Sequence, residues 1–192
     1  MNRLFVIILF VLCLIYQAQA QRYLPSQKGL QITAGTVNGF NPNLQGSDFA
    51  FHAGVAFSTY TQNKNRWVFG SEYLEKRYPY KELSIPQVQF TAEAGYYLNF
   101  LSDRTKTVFL SVGASALAGY ETVNWDKKLL FDGAGIENKD AFVYGGALTF
   151  ETEIFLTDRL VLLVNVRERM MFGSSIGRFN TQFGAGIKII IN

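Results

Sequence analysis

The chain is predicted to be all-β: an eight-stranded antiparallel up-and-down outer-membrane β-barrel, preceded by a cleaved signal peptide. Three observations predict this. The first twenty residues have the layout of an export signal. The remainder holds no long apolar helix. Eight segments alternate apolar and polar residues with period two.

Met1-Asn2-Arg3 is a short basic start, Leu4 to Tyr16 is an unbroken apolar run, and Ala18-Gln19-Ala20 is a small-x-small cleavage site before Gln21. That run is too short to span a bilayer as a helix, which needs about 20 residues. Residues 1–20 are therefore expected to be a signal peptide and residues 21–192 the barrel domain. Cys13, the single cysteine, leaves with the signal, which excludes disulfides and thiolate metal sites. Hydrophobic residues make up 48% of the chain and aromatic ones 15%, but charged ones only 17%, against about 25% in an average soluble domain. The formal charge of +3 comes from 18 Lys+Arg and 15 Asp+Glu spread without runs. That pattern argues against a nucleic-acid surface, and no direct nucleic-acid binding is expected.

An exported, aromatic-rich chain without a membrane helix has one other way to cross a bilayer, a closed barrel of strands about ten residues long. Lys28 to Asn38 sets Leu30, Ile32 and Ala34 against Gln31, Thr33 and Gly35. In Asp48 to Tyr60, Phe49, Phe51, Ala53, Val55 and Phe57 share one face, with Ala50, His52, Gly54, Ala56 and Ser58 on the other. Asn65 to Tyr78 sets Trp67, Phe69 and Tyr73 against Gly70 and Glu72. Gln87 to Phe100 turns Val88, Phe90, Ala92, Ala94, Tyr96 and Leu98 outward, with Gln87, Gln89, Thr91 and Glu93 inward. Thr105 to Glu121 turns Val112, Ala114, Ala116 and Tyr120 out and Ser111, Gly113, Ser115 and Glu121 in. Ala141 to Phe155 turns Phe142, Tyr144, Leu148 and Phe150 out and Thr149, Glu151 and Glu153 in. Leu160 to Phe172 alternates Asn165, Arg167 and Arg169 against Val164, Val166 and Met170, a register that puts Glu168 on the lipid face. Near a strand end such a charge costs only about 0–1 kcal/mol, and a bulge would also remove it. Arg178 to Asn192 turns Phe179, Phe183, Ile187 and Ile189 out and Asn180, Gln182 and Lys188 in.

The connections at 61–65, 101–104 and 157–158 are short, and the intervening ones at 39–47, 77–85 and 122–140 are long, with 173–177 the exception. Short periplasmic turns and long external loops are the habit of bacterial outer-membrane barrels, so both chain ends are expected in the periplasm.

Eight strands enclose a space just filled by side chains. Glu72, Glu93, Glu151 and Glu153 are therefore expected to pair inside with Arg167, Arg169 and Lys188, a network that also fixes register, since a one-residue slip would turn the glutamates toward hydrocarbon. No catalytic, cofactor-binding or metal site is assigned. His52 is the only histidine, and with no cysteine in the exported chain a His-rich centre or a Cys-His pair is impossible. Barrels that deacylate lipid A carry a Ser two residues after their His, where this chain has Gly54. Glu151 and Glu153 could imitate a glycosidase pair, but the lumen is too narrow for a sugar. The Gly-Ala-Gly runs at 133–135 and 184–186 lack the Lys and the following helix of a phosphate loop, and 132–140 fails calcium-loop spacing. In the longest loop, Trp125, Leu129, Leu130 and Phe131 stand among charges. They read either as a docking patch or as the upper ends of strands reaching above the membrane.

The strings RYLPSQKGLQ (22–31), STYT (58–61), WVFGSEYLEKRYPY (67–80), IPQVQFTAEAGYY (85–97), LSDRTKTVFLSVGASALAGYETVN (101–124), LLFDGAGIENKDAFVYGGALTFE (129–151) and GSSIGRF…GIKIIIN (173–192) resemble the TraO family, conjugal transfer proteins of conjugative transposons in Bacteroides and relatives. The resemblance covers essentially the whole exported chain. It implies a place in a DNA-transfer apparatus at the outer membrane of a Gram-negative cell, with outer-membrane lipid and other conjugation proteins as partners. It brings no catalytic residues. Two other classes stay open on the residues alone. A soluble lipocalin-like barrel would turn Phe49, Phe51 and Phe57 inward and Glu93, Glu151 and Arg167 to water; the other class is a lipid-modifying barrel enzyme.

Overall fold

The computed structural model describes residues 23–38, 50–80, 83–126, 141–175 and 177–191. The expected signal segment lies outside these, as do Phe49, Leu129, Leu130 and Phe131. The strands are β1 (Lys28–Val37), β2 (Ala50–Tyr60), β3 (Arg66–Tyr80), β4 (Leu83–Ser102), β5 (Val108–Val123), β6 (Ala141–Phe155), β7 (Leu160–Phe172) and β8 (Phe179–Ile191). Each pairs antiparallel with the next, and β8 returns to β1, so the sheet is a closed barrel. Closure gives every strand two neighbours, which is how a backbone inside hydrocarbon satisfies all its polar groups.

The ladder can be followed once around the wall. From Tyr60 it steps through Arg66, Tyr97, Gly113, Thr149, Arg167, Gln182 and Val37. One step beyond the Thr36–Phe51 pair brings it to Ala50. The circuit therefore closes ten residues from where it began, the stagger that tilted strands need in order to close. Its members point inward, so one turn of the ladder is also one turn of the lumen lining.

Alternation decides which side each residue takes. Phe57, Phe69, Phe90, Leu148, Phe150 and Ile187 are exposed on the outer wall, whereas Glu151, Glu153, Arg167 and Lys188 are buried within. This is the reverse of a lipocalin-like pattern. Two belts of rings bound the outer wall. At the long-loop end Tyr73 meets Phe90 edge-on with centroids 5.2 Å apart, and Tyr120, Phe142, Tyr144 and Phe172 continue the belt through paired positions. At the short-turn end Trp67 packs on Tyr96 and Phe100 on Phe150. Phe90 and Phe100 are ten positions apart on β4, the length of tilted strand that spans a bilayer core. At the long-loop belt Ala53, Ala92 and Ala118 hollow the outer wall into an apolar groove of about 690 Å³, flanked by Tyr73, Phe90, Tyr120 and Phe142.

Three local features differ from, or sharpen, the sequence expectations. β3 and β4 pair as far as Tyr80 and Leu83, so a two-residue connection replaces the long loop expected over 77–85. Pro79 and Pro86 suggested a loop because proline cannot donate to a ladder. Among the described residues, β2 pairs with β3 as far as Lys76 and β5 pairs with β4 from Gln87, so both prolines sit beyond those ladders, where a missing amide costs no hydrogen bond to them. A bulge between Asn99 and Leu101 shifts parity on β4 and leaves Phe100 and Leu101 both facing outward. The backbone amide of Asn99 donates to Asn65 Oδ1 at 3.0 Å, tying the bulge to the β2–β3 turn. Glu168 does lie on the outer wall, in an unbulged stretch four residues from the end of β7, and accepts a 2.5 Å hydrogen bond from the Thr181 hydroxyl.

Candidate functional site

The interior is built in layers along the barrel axis. The floor, at the short-turn end, is apolar and aromatic: Tyr23, Tyr60, Phe109, Phe155, Val161, Leu163 and Ile190 pack as one buried cluster. Tyr23 precedes β1 and folds back into the mouth. Its ring stacks on Tyr60 with centroids 4.0 Å apart and meets Phe155 edge-on at 4.9 Å. Its hydroxyl donates to Glu153 Oε2 at 2.7 Å, and the Tyr60 hydroxyl donates to Glu153 Oε1 at 3.1 Å.

Above the floor lies the first charged layer. Arg66 reaches Glu151 Oε1 with Nη2 at 2.5 Å, and with Nη1 reaches Glu153 Oε2 at 3.2 Å and Ser111 Oγ at 3.1 Å. Lys188 pairs directly with Glu153 and stands 4.0 Å from Glu151. The Arg66 guanidinium lies 4.8 Å from the Tyr97 ring centroid. Tyr97 can lie flat there because its ladder partner is Gly113; a Cβ on Gly113 would come within 2.6 Å of the ring. The cation thus has carboxylates at its fork and a ring beside it, a pairing that offsets the cost of removing it from water.

A second charged layer follows. Arg167 bridges Glu93, at 2.6 Å, and Glu72, at 3.3 Å, while Arg169 Nη1 lies 2.9 Å from Glu72 Oε1. The Gln182 side-chain amide donates to Glu72 Oε1 at 2.9 Å. His52 Nδ1 is 3.6 Å from Glu72 Oε2, too far for a direct hydrogen bond. Between the two charged layers, a void of about 30 Å³ is bounded by Gln31, His52, Glu72, Glu93, Tyr97 and Glu151, large enough to hold a water.

Toward the long-loop end the lumen turns apolar again with Leu117, Val143, Ala147 and Met171, and with Val37, Ala50 and Leu74. The β7–β8 connection then folds over the mouth. Glu121 accepts hydrogen bonds from Gln87 and Gln89 at 2.6 Å each, from the Ser174 hydroxyl at 2.7 Å and from the Ser175 amide at 3.0 Å.

The seven lumen residues named from the sequence therefore fall into two groups rather than one: Glu151, Glu153 and Lys188 near the floor, and Glu72, Glu93, Arg167 and Arg169 further in. Arg66 is the central cation of the first group and was not among them. Its signal was available, since Arg66 falls within the 65–78 segment and shares parity with Gly70 and Glu72, but the inward face of that strand was read from Gly70 and Glu72 alone. The ring floor was missed because Tyr23 lies outside any alternating segment. Of the loop residues, Trp125 belongs to a 3-10 turn at Asn124–Asp126, is 55% exposed and has φ +52°, a left-handed conformation that costs a bulky side chain energy.

Outside the spanning segments two turn residues have shifted ionisation. Slight burial raises the Asp103 carboxyl, but the Thr105 hydroxyl and the amides of Val108 and Thr107 outweigh it and hold it below the usual carboxylate range. Partial burial, then the neighbouring Lys106 ammonium, holds Lys64 below the usual lysine range.

Two crystal structures share this architecture. Neisserial surface protein A superimposes with a TM-score of 0.59 at 15% identity, over 84% of this chain and 96% of that one. The N-terminal β-barrel domain of OprF from Pseudomonas aeruginosa does so with a TM-score of 0.51 at 11% identity, over 86% and 99%. The fold is that of small outer-membrane barrels. No curated protein matches the chain. A family model described as "Conjugative transposon protein TraO" matches residues 24–191.

Proposed function

The chain belongs to the TraO family of conjugative transposon proteins, and from that premise we propose that it is a non-catalytic outer-membrane barrel that anchors or braces components of a conjugative DNA-transfer apparatus. It is exported by its 1–20 signal into the outer membrane of a Gram-negative, Bacteroidetes-like cell, with the short turns in the periplasm and the long loops outside.

The observation that carries this reading is the closed lumen. Among the described residues, a ring floor, two compensated charge layers and a hydrogen-bonded cap close the lumen around a void of about 30 Å³, too small for a DNA strand or a polypeptide. A barrel that passes neither acts through its surfaces. The charge network then serves the wall, holding register and shape. A catalytic role for His52 finds no support in its surroundings, since it is buried beside Glu72 and position 54 is glycine.

The long loop supplies one such surface. Trp125 is presented to solvent at a backbone angle that structures usually keep only where something uses it, and in sequence it leads into Leu129, Leu130 and Phe131. These four residues form the docking patch of this proposal, directed at another apparatus protein or at the recipient cell. The test is to delete 127–131 in donor cells. Outer-membrane content of the barrel should stay normal while transfer frequency falls. Normal transfer with a normally inserted deletion variant would remove the patch from the account.

A further inference from the structure

The charges are distributed unequally along the barrel axis. In the lumen Arg66, Arg167, Arg169 and Lys188 face Glu72, Glu93, Glu151 and Glu153, so its two charge layers balance. At the long-loop end both signs mix, as in Glu75, Lys76 and Arg77. The short-turn end differs. Lys28, Lys64, Arg104, Lys106 and Arg159 stand there against Asp103 and Asp158. Asp103 is occupied by its own turn, accepting from the amides of Thr107 at 2.7 Å and Val108 at 2.9 Å and from the Thr105 hydroxyl. Among the described residues a net positive face remains.

Part of that face covers the mouth rather than the perimeter. Lys64 Nζ lies 5.2 Å from the centroid of Phe109, a member of the lumen floor. Its ammonium therefore stands inside the ring of lipid-facing side chains, where headgroups packed around the wall do not reach. Lys106 is its neighbour, and Arg104 and Lys106 are exposed on the adjoining turn. Like charges gathered over a mouth are relieved by an anion laid across them.

We infer that the short-turn face docks an acidic segment of a periplasmic protein, whose carboxylates pair with Lys64, Arg104 and Lys106. This rests on the reading above that the short turns face the periplasm and that the barrel holds another component. A peptide fits better than a nucleic-acid strand. Among the described residues, the rings at this end either seal the floor, like Tyr23 and Phe109, or face lipid, like Trp67 and Tyr96. None is left for bases to stack on.

The test uses the full exported chain in nanodiscs of zwitterionic lipid, titrated with a fluorescent peptide of about ten glutamates at low and at moderate salt. Wild type should bind, more weakly at the higher salt. Lys64→Gln/Arg104→Gln/Lys106→Gln should weaken binding by about tenfold or more, the product of three modest surface pairs. Lys76→Gln/Arg77→Gln, at the other end, should change nothing. The heat-modifiable gel mobility of both variants should match wild type. Absence of peptide binding overturns the inference, as does an unchanged triple variant. So does equal or tighter binding of a single-stranded oligonucleotide of matched charge, or loss of peptide binding once phosphatidylglycerol is added to the disc. A triple variant that loses the peptide yet transfers DNA normally counts against the anchoring role and leaves the docking chemistry standing.

Discussion

Arg66 Nη2 lies 2.5 Å from Glu151 Oε1, and the two side chains are 0% and 3% exposed. They come from β3 and β6, nearly opposite in an eight-stranded ring, so this pair ties the two halves of the wall across the lumen. Among the described residues, removing the cation leaves Glu151 with Lys188 alone, at 4.0 Å. Arg66→Ala should therefore destabilise the barrel by roughly 3–5 kcal/mol, read as a lower urea midpoint in detergent. Adding Glu151→Gln to that variant should recover part of the loss. A midpoint equal to wild type for Arg66→Ala would mean the pair holds nothing together.

Arg167 and Arg169 are not equivalent. Arg167 bridges Glu93 and Glu72, whereas Arg169 shares Glu72 with Arg167 and with Gln182. Arg167→Ala strands Glu93 and should cost a few kcal/mol; Arg169→Ala leaves Glu72 still partnered and should cost less. The reverse order in denaturant midpoints would contradict the assigned pairing.

Gly113 gives the Tyr97 ring its place, since an added Cβ would fall within 2.6 Å of ring carbons. In Gly113→Val the ring must lift, and Arg66 loses the face it lies on, for a cost of about 1–3 kcal/mol. Gly146→Ala is the control, because its added Cβ meets only a carbonyl oxygen at 3.2 Å. Equal stability of the two variants would show that the ring has room to move.

Asp103 predicts a pH dependence. Its folded-state pKa is depressed, so its contribution is present above the unfolded value near 4 and is lost as pH falls through the folded value. Wild type should exceed Asp103→Ala by a small margin at pH 7, and the margin should close below about pH 4. A margin that widens in acid would have the wrong sign for a carboxylate that caps its own turn.

The wall was legible in the sequence because a half-lipid, half-lumen strand has no choice but to alternate. Phe51, Ala53 and Val55 against His52 and Gly54 already state both faces. Parity also told which charges point inward. It could not tell which meet, because that depends on the ten-residue stagger, which brings Arg167 on β7 to Glu93 on β4 across the lumen. Proline overruled parity in the β3–β4 hairpin, where Pro79 and Pro86 sit beyond the ladders that β2 and β5 form among the described residues. Tyr23 was invisible for a different reason: it folds into the mouth as an irregular segment, and no periodicity marks such a residue.

The most direct test of the account is where the protein resides and how it runs on a gel. Membranes from cells expressing the chain, separated by density, should hold it in the outer-membrane fraction, with faster gel migration before heating than after. Recovery in the soluble periplasm, or a mobility that heating leaves unchanged, would contradict an apolar-walled cylinder sealed in lipid.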